Sequence, residues 1–180
     1  MSTANEPTKT SKAIARTVTW QEISEWHLDN KYIVRGYRRE KADYLESLTS
    51  LTFLHNETCN IYTHLIGAVL LPPFAAIFLR FLDHPQIPNV STMDYAVFNI
   101  YFLSAEICLV LSTLYHLMIS HSHNIEHFWQ GMDLLGIVIV TIGTIFSGIY
   151  YTICEASLQK LHWTIVSFSE LSLSSIILSY

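Results

Sequence analysis

Residues 61–79 (IYTHLIGAVLLPPFAAIFL) contain no Asp, Glu, Lys or Arg, and Arg80 ends the run. As a helix rising about 1.5 Å per residue, the run covers roughly 28 Å, close to a hydrocarbon core of about 30 Å. In lipid the backbone must satisfy its own hydrogen bonds, so such a run is read as a membrane helix. Pro72-Pro73 is expected to kink or open it locally. Residues 95–119 and 134–154 repeat the pattern, and 161–180 is a fourth, weaker run diluted by Glu170 and six serines. The expected fold is an all-α membrane protein with about four transmembrane helices, near 61–82, 95–119, 134–154 and 161–180. Composition agrees: 51% of residues are hydrophobic and only 14% charged, against about 25% charged in soluble domains.

The rest of the chain divides around these spans. Residues 1–15 are polar and small and read as a disordered tail. Residues 16–60 read as an amphipathic, juxtamembrane segment. Within it, Trp20, Ile23 and Trp26 recur at helical spacing, which suits a short helix lying on the bilayer or packed on its own protein. Arg35, Arg38, Arg39 and Lys41 precede the first span, whereas the 83–94 loop has no Lys or Arg. The asymmetry places the N-terminus in the cytoplasm of a multi-pass integral membrane protein. A net charge of −5 without a basic block offers nothing to nucleic acid. Three scattered cysteines form no CxxC pair, so neither a disulfide framework nor a cysteine zinc site is indicated. No N-terminal h-region marks a signal peptide.

Ionisable groups inside spans are costly and point to function. Ser112 and His116 are i, i+4 and share one helical face. Asp133 is expected at the start of the third span, at the depth of His116. A neutral imidazole is a common zinc ligand, with a carboxylate to orient it or hold a water. The plainer reading of His116 is a histidine snorkelling to the interface. Residues 120–132 read as a His-rich loop, with His121, His123 and His127 solvated. Glu106 reads as a protonated carboxyl paired inside the bundle. Gly136, Gly143 and Gly148 in the third span allow close helix approach.

The stretch Phe53-Leu54-His55-Asn56-Glu57-Thr58-Cys59-Asn60-Ile61-Tyr62-Thr63-His64-Leu65-Ile66-Gly67 resembles the segment before the first helix in the progestin and adipoQ receptor family. That family includes the adiponectin receptors, the fungal zinc-homeostasis membrane proteins and the hemolysin III relatives. Ser112-x-x-x-His116 followed by Asp133 is similar to its second motif, and His121-Ser122 to a further pair. The resemblance runs from about Trp20 to the end.

It implies a seven-helix bundle with a cytoplasmic N-terminus and a zinc ion near the cytoplasmic face, of which this chain would be the N-terminal part. His116 matches a zinc histidine, Asp133 an aspartate acting through water, and Ser112 a serine beside the site. The family's H-x-x-x-H on the last helix has no counterpart here, so an incomplete zinc site and a truncated chain are expected. Glu57, Asn60 and His64 of the first motif are expected to serve structure near the cytoplasmic rim. The implied function is a zinc-binding receptor with ceramidase-like hydrolysis of a lipid amide, Asp133 partnering the water and Ser112 steadying the negative charge. Its expected partners are the bilayer, a lipid or sphingolipid ligand, and a homo- or hetero-oligomer. Two alternatives stand beside it: a non-catalytic membrane module that pairs with another family chain, and a small transporter or channel built on Glu106 and Glu170.

Overall fold

The computed structural model describes residues 16–28, 30, 32–85, 87, 90–153, 166 and 167. Three helices carry the architecture. Helix α1 (Tyr44–Thr49) is a single short turn-and-a-half, and α2 (Thr58–Phe81), α3 (Thr92–Met118) and α4 (His123–Ile153) are long. These three are each long and apolar enough to cross a membrane. The fourth expected span, 161–180, and the 1–15 tail lie outside the described residues, apart from 166 and 167.

Each helix exceeds its apolar run, because a helix continues as far as its backbone bonds are satisfied. Ser91 caps α3: its hydroxyl accepts the Asp94 N–H at 3.3 Å, and the Asp94 carboxylate accepts the Ser91 N–H at 2.7 Å. α2 runs unbroken through Pro72 and Pro73, where membrane helices tolerate proline. The expected loop at 120–132 is mostly helix. α4 begins at His123, fastened by Glu126 N–H to Ser122 O at 2.8 Å. His123 and His127 therefore stand on its first turns, and Asp133 lies well inside the helix rather than at its start.

α3 is the central helix and packs against both α2 and α4. Aromatic residues fill one end of the bundle: Phe78, Phe98, Phe102, Tyr101 and Tyr151. Ile61, Leu117 and Met118 close the other, with Leu51 and Trp129 against them. The outward faces stay apolar, with Ile66, Val69 and Ile77 on α2 and Val138, Ile142 and Ile149 on α4 all exposed. In water such faces would be a heavy liability; in a bilayer they are in contact with solvent of their own kind.

The short helix expected around Trp20, Ile23 and Trp26 does not form. The 16–60 segment opens with an antiparallel strand pair, β1 (Thr17–Thr19) and β2 (Arg35–Arg38), with 3₁₀ turns at Trp20–Glu22 and Glu25–His27 between them. Trp20, Ile23 and Trp26 recur every three residues, a 3₁₀ period as much as an α one. Val18 pairs with Tyr37 and Thr19 with Arg35, which leaves Gly36 as a bulge at φ +94°. Only glycine adopts that angle freely. The bulge sends Gly36 O to the Asn56 N–H at 2.9 Å, tying the strands to the start of α2.

Candidate functional site

Polar groups converge where α2 begins and α3 ends. Glu57, the residue before α2, turns its carboxylate onto α3: Oε2 lies 2.9 Å from His116 Nδ1. Asn60 Nδ2, one turn into α2, donates to the same oxygen at 3.0 Å, and Asn56 Nδ2 donates to Oε1 at 2.5 Å. Both members of the pair are buried, Glu57 at 4% and His116 at 1% exposure. Burial pushes the Glu57 carboxyl up. The His116 hydrogen bond and charge, the Asn60 amide and the Arg38 charge outweigh it and hold the group below the usual carboxylate range. An ionised Glu57 can only accept, so the His116 ring carries a proton on Nδ1.

The other side of the site comes from α3 and α4. Ser112 sits one turn before His116, and its hydroxyl lies beside the Asp133 carboxyl of α4, which also feels the His116 ring. Both Ser112 and Asp133 are buried. The Ser112, His116 and Asp133 read from the sequence are thus brought together, although Asp133 arrives from within α4. Of the first motif, Glu57 and Asn60 stand on His116. His64 lies across from it with ring centroids 5.9 Å apart. Both His64 ring nitrogens are buried without a hydrogen-bond partner among the described residues.

Two contributors escaped the sequence reading. His55 Nδ1 accepts the Glu57 N–H at 3.1 Å. Arg38, grouped with the membrane-flanking cations, is 3% exposed and donates to the backbone of His116 and to its neighbour. Its place in a short strand beside a bulge gave no periodicity to find it by. His121 is buried rather than solvated, its ring tilted against Tyr44 with ring centroids 4.3 Å apart. Glu106 is only partly buried, and its Oε2 has no partner among the described residues rather than the internal pair expected.

The donor chemistry fits zinc at one coordination position. A buried imidazole backed by a carboxylate on its other ring nitrogen is the usual arrangement for a metal histidine. No group of three or more His, Cys, Asp or Glu among the described residues could hold an ion by itself, and zinc takes about four ligands.

A family model described as haemolysin-III related matches residues 52–179. The chain is 37% identical to an ADIPOR-like receptor of Saccharomyces cerevisiae over 81% of its own length and 45% of that relative. It is 33% identical to the progestin and adipoQ receptor-like protein 1 of Caenorhabditis elegans, over 80% of this chain and 32% of the relative. With the adiponectin receptor protein of Drosophila melanogaster the figures are 27%, 89% and 35%. The chain therefore spans 32% to 45% of the length of these curated relatives.

Proposed function

The chain belongs to the haemolysin-III-related family of membrane proteins, and on that premise we propose that it is an adiponectin-receptor-like protein in which His116 is a zinc ligand. What supports the reading is one observation: the buried 2.9 Å pair of His116 Nδ1 with Glu57. That pair leaves Nε2 as the lone-pair nitrogen, the form a metal needs. The remaining donors would come from outside the described residues.

The reaction proposed is hydrolysis of a lipid amide, of the ceramide class. Zinc, when bound, supplies a Lewis acid beside the scissile carbonyl. Asp133 holds and orients the attacking water, takes its proton and passes it to the amide nitrogen as the C–N bond breaks, releasing the amine and the carboxylic acid. Ser112, beside Asp133, donates toward the developing oxyanion. The apolar outer faces of α2 and α4 keep the site within reach of a bilayer substrate. The strand-pair end is read as cytoplasmic.

Zinc content of the purified protein tests the reading, wild type against His116→Ala. Zinc is expected in the first and lost in the second; equal zinc in both would remove His116 as a ligand. A second reading, a receptor module without hydrolysis, is favoured by the small number of donors among the described residues. Ceramide hydrolysis by the zinc-loaded protein, abolished in Asp133→Asn, would exclude it.

A further inference from the structure

The end of α3 is held from outside the bundle. A helix leaves its last four carbonyls without intrahelical donors, and α3 ends at Met118. Met118 O takes the His121 N–H at 2.9 Å. The two carbonyls before it are taken by one side chain from β2. Arg38 Nη2 donates to His116 O at 2.6 Å and Nη1 to Leu117 O at 2.8 Å. Nη1 also donates to Ser50 Oγ at 3.0 Å, and that hydroxyl donates to Ser47 O at 2.6 Å. Three residues along, the Lys41 N–H bonds Ser120 O at 3.2 Å. The N-terminal strand pair is thereby fastened to the helix that carries His116, and one fastening is the His116 backbone itself.

A guanidinium out of water is costly unless its charge is matched. Here it meets the negative end of the α3 dipole and the ionised Glu57 nearby. A lysine could not reproduce the arrangement, because a single ammonium lacks the planar fork that reaches two carbonyls and a hydroxyl together.

We propose that Arg38 is a positioning residue for His116: it fixes the backbone of that histidine while Glu57 fixes its ring. The β1–β2 pair is then part of the scaffold of the ligand, not an appended tail. The proposal rests on the reading of His116 as a zinc ligand, and it adds a residue contributed from a separate element more than seventy positions earlier.

Purified protein carrying Arg38→Lys is compared with wild type in three measurements: thermal unfolding, zinc retention against a competing chelator, and amide hydrogen exchange of the metal-stripped protein. The expected result is a near-wild-type melting temperature, zinc held about tenfold to a hundredfold more weakly, and faster exchange confined to residues 115–121 and the strand pair. Unchanged exchange at 115–121 with wild-type zinc retention overturns the proposal. So does zinc loss that only accompanies unfolding of the whole bundle. Should Arg38→Lys not fold, Ser50→Ala removes one acceptor of the same guanidinium. It is expected to weaken zinc retention by about threefold, because only one of the three acceptors of the guanidinium is lost and the two carbonyl bonds remain, and no change there overturns the proposal instead. Failure of the underlying reading looks different: wild type then holds no zinc that His116→Ala can remove, while the exchange at 115–121 still reports whether Arg38 holds the helix end.

Discussion

His55 shows how a single residue ties acid sensitivity to this site. Its Nδ1 accepts the Glu57 N–H, so the proton of the neutral ring must sit on Nε2. Burial and then the charge of Arg38 push its pKa down to about 4, against the pull of Glu57 and the Ser50 carbonyl. In the unfolded chain a histidine titrates near about 6.5. On acidification the unfolded state therefore takes up its proton first. The stability from neutral His55 is complete above about 6.5 and is lost progressively as the pH falls toward about 4. Asparagine at this position can accept the same N–H without titrating. Thermal unfolding between pH 7 and 4.5 should show a shallower loss for His55→Asn than for wild type. Parallel curves would mean that the ring titrates freely in the folded protein. His55 lay in plain view within the first motif. Its role was hidden because a motif names residues without saying which atoms face which.

At the scale of elements, the α3–α4 seam sets how closely Asp133 approaches Ser112. Gly136 and Gly143, legible from the sequence as small residues in an apolar span, lie on that seam. A Cβ at Gly136 would stand 3.1 Å from Cys108 Cα. One at Gly143 would overlap the Ser104 hydroxyl and come within 2.8 Å of its Cβ. Gly143→Ala should therefore cost about 1–3 kcal/mol through overpacking, and Ser104→Gly in the same chain should recover most of it. Gly131→Ala has open space around it and should be neutral or stabilising by up to about 1 kcal/mol. Unfolding titrations of the four proteins check this; equal stability of the two alanine variants would remove the seam as the constraint. The three described spans were readable because hydrocarbon length dictates them. The start of α4 was not, since apolar runs mark what lies in lipid, whereas the polar His123–Gly131 stretch is helical for backbone reasons. The strand pair was missed for a related reason. It depends on a glycine bulge and on partners far along the chain, neither of which leaves a periodic trace.

For the molecule as a whole, burial changes how the charges bear on orientation. Arg38 is consumed by the α3 carbonyls, so it no longer counts as a free flanking cation. Arg35, Arg39 and Lys41 remain exposed at the strand-pair end, and Arg80 is exposed at the opposite end of α2. Together with Arg16 these exposed cations outnumber Arg80 among the described residues, which still favours the strand-pair end as cytoplasmic. Cys59 is exposed in the first turn of α2, at the strand-pair end, while Cys108 is buried. With Cys108→Ala and Cys154→Ala removing the other thiols, a membrane-impermeant maleimide should label Cys59 only after the cells are permeabilised. Labelling of intact cells at the same rate would reverse the topology. His116, Glu57 and Arg38 gather at that same end, so the labelling also decides which side of the membrane the proposed zinc site faces. Cysteine accessibility to the cytosol would mean that the zinc proposed at His116 comes from the cytosolic pool and that the proposed lipid substrate is met at the inner leaflet.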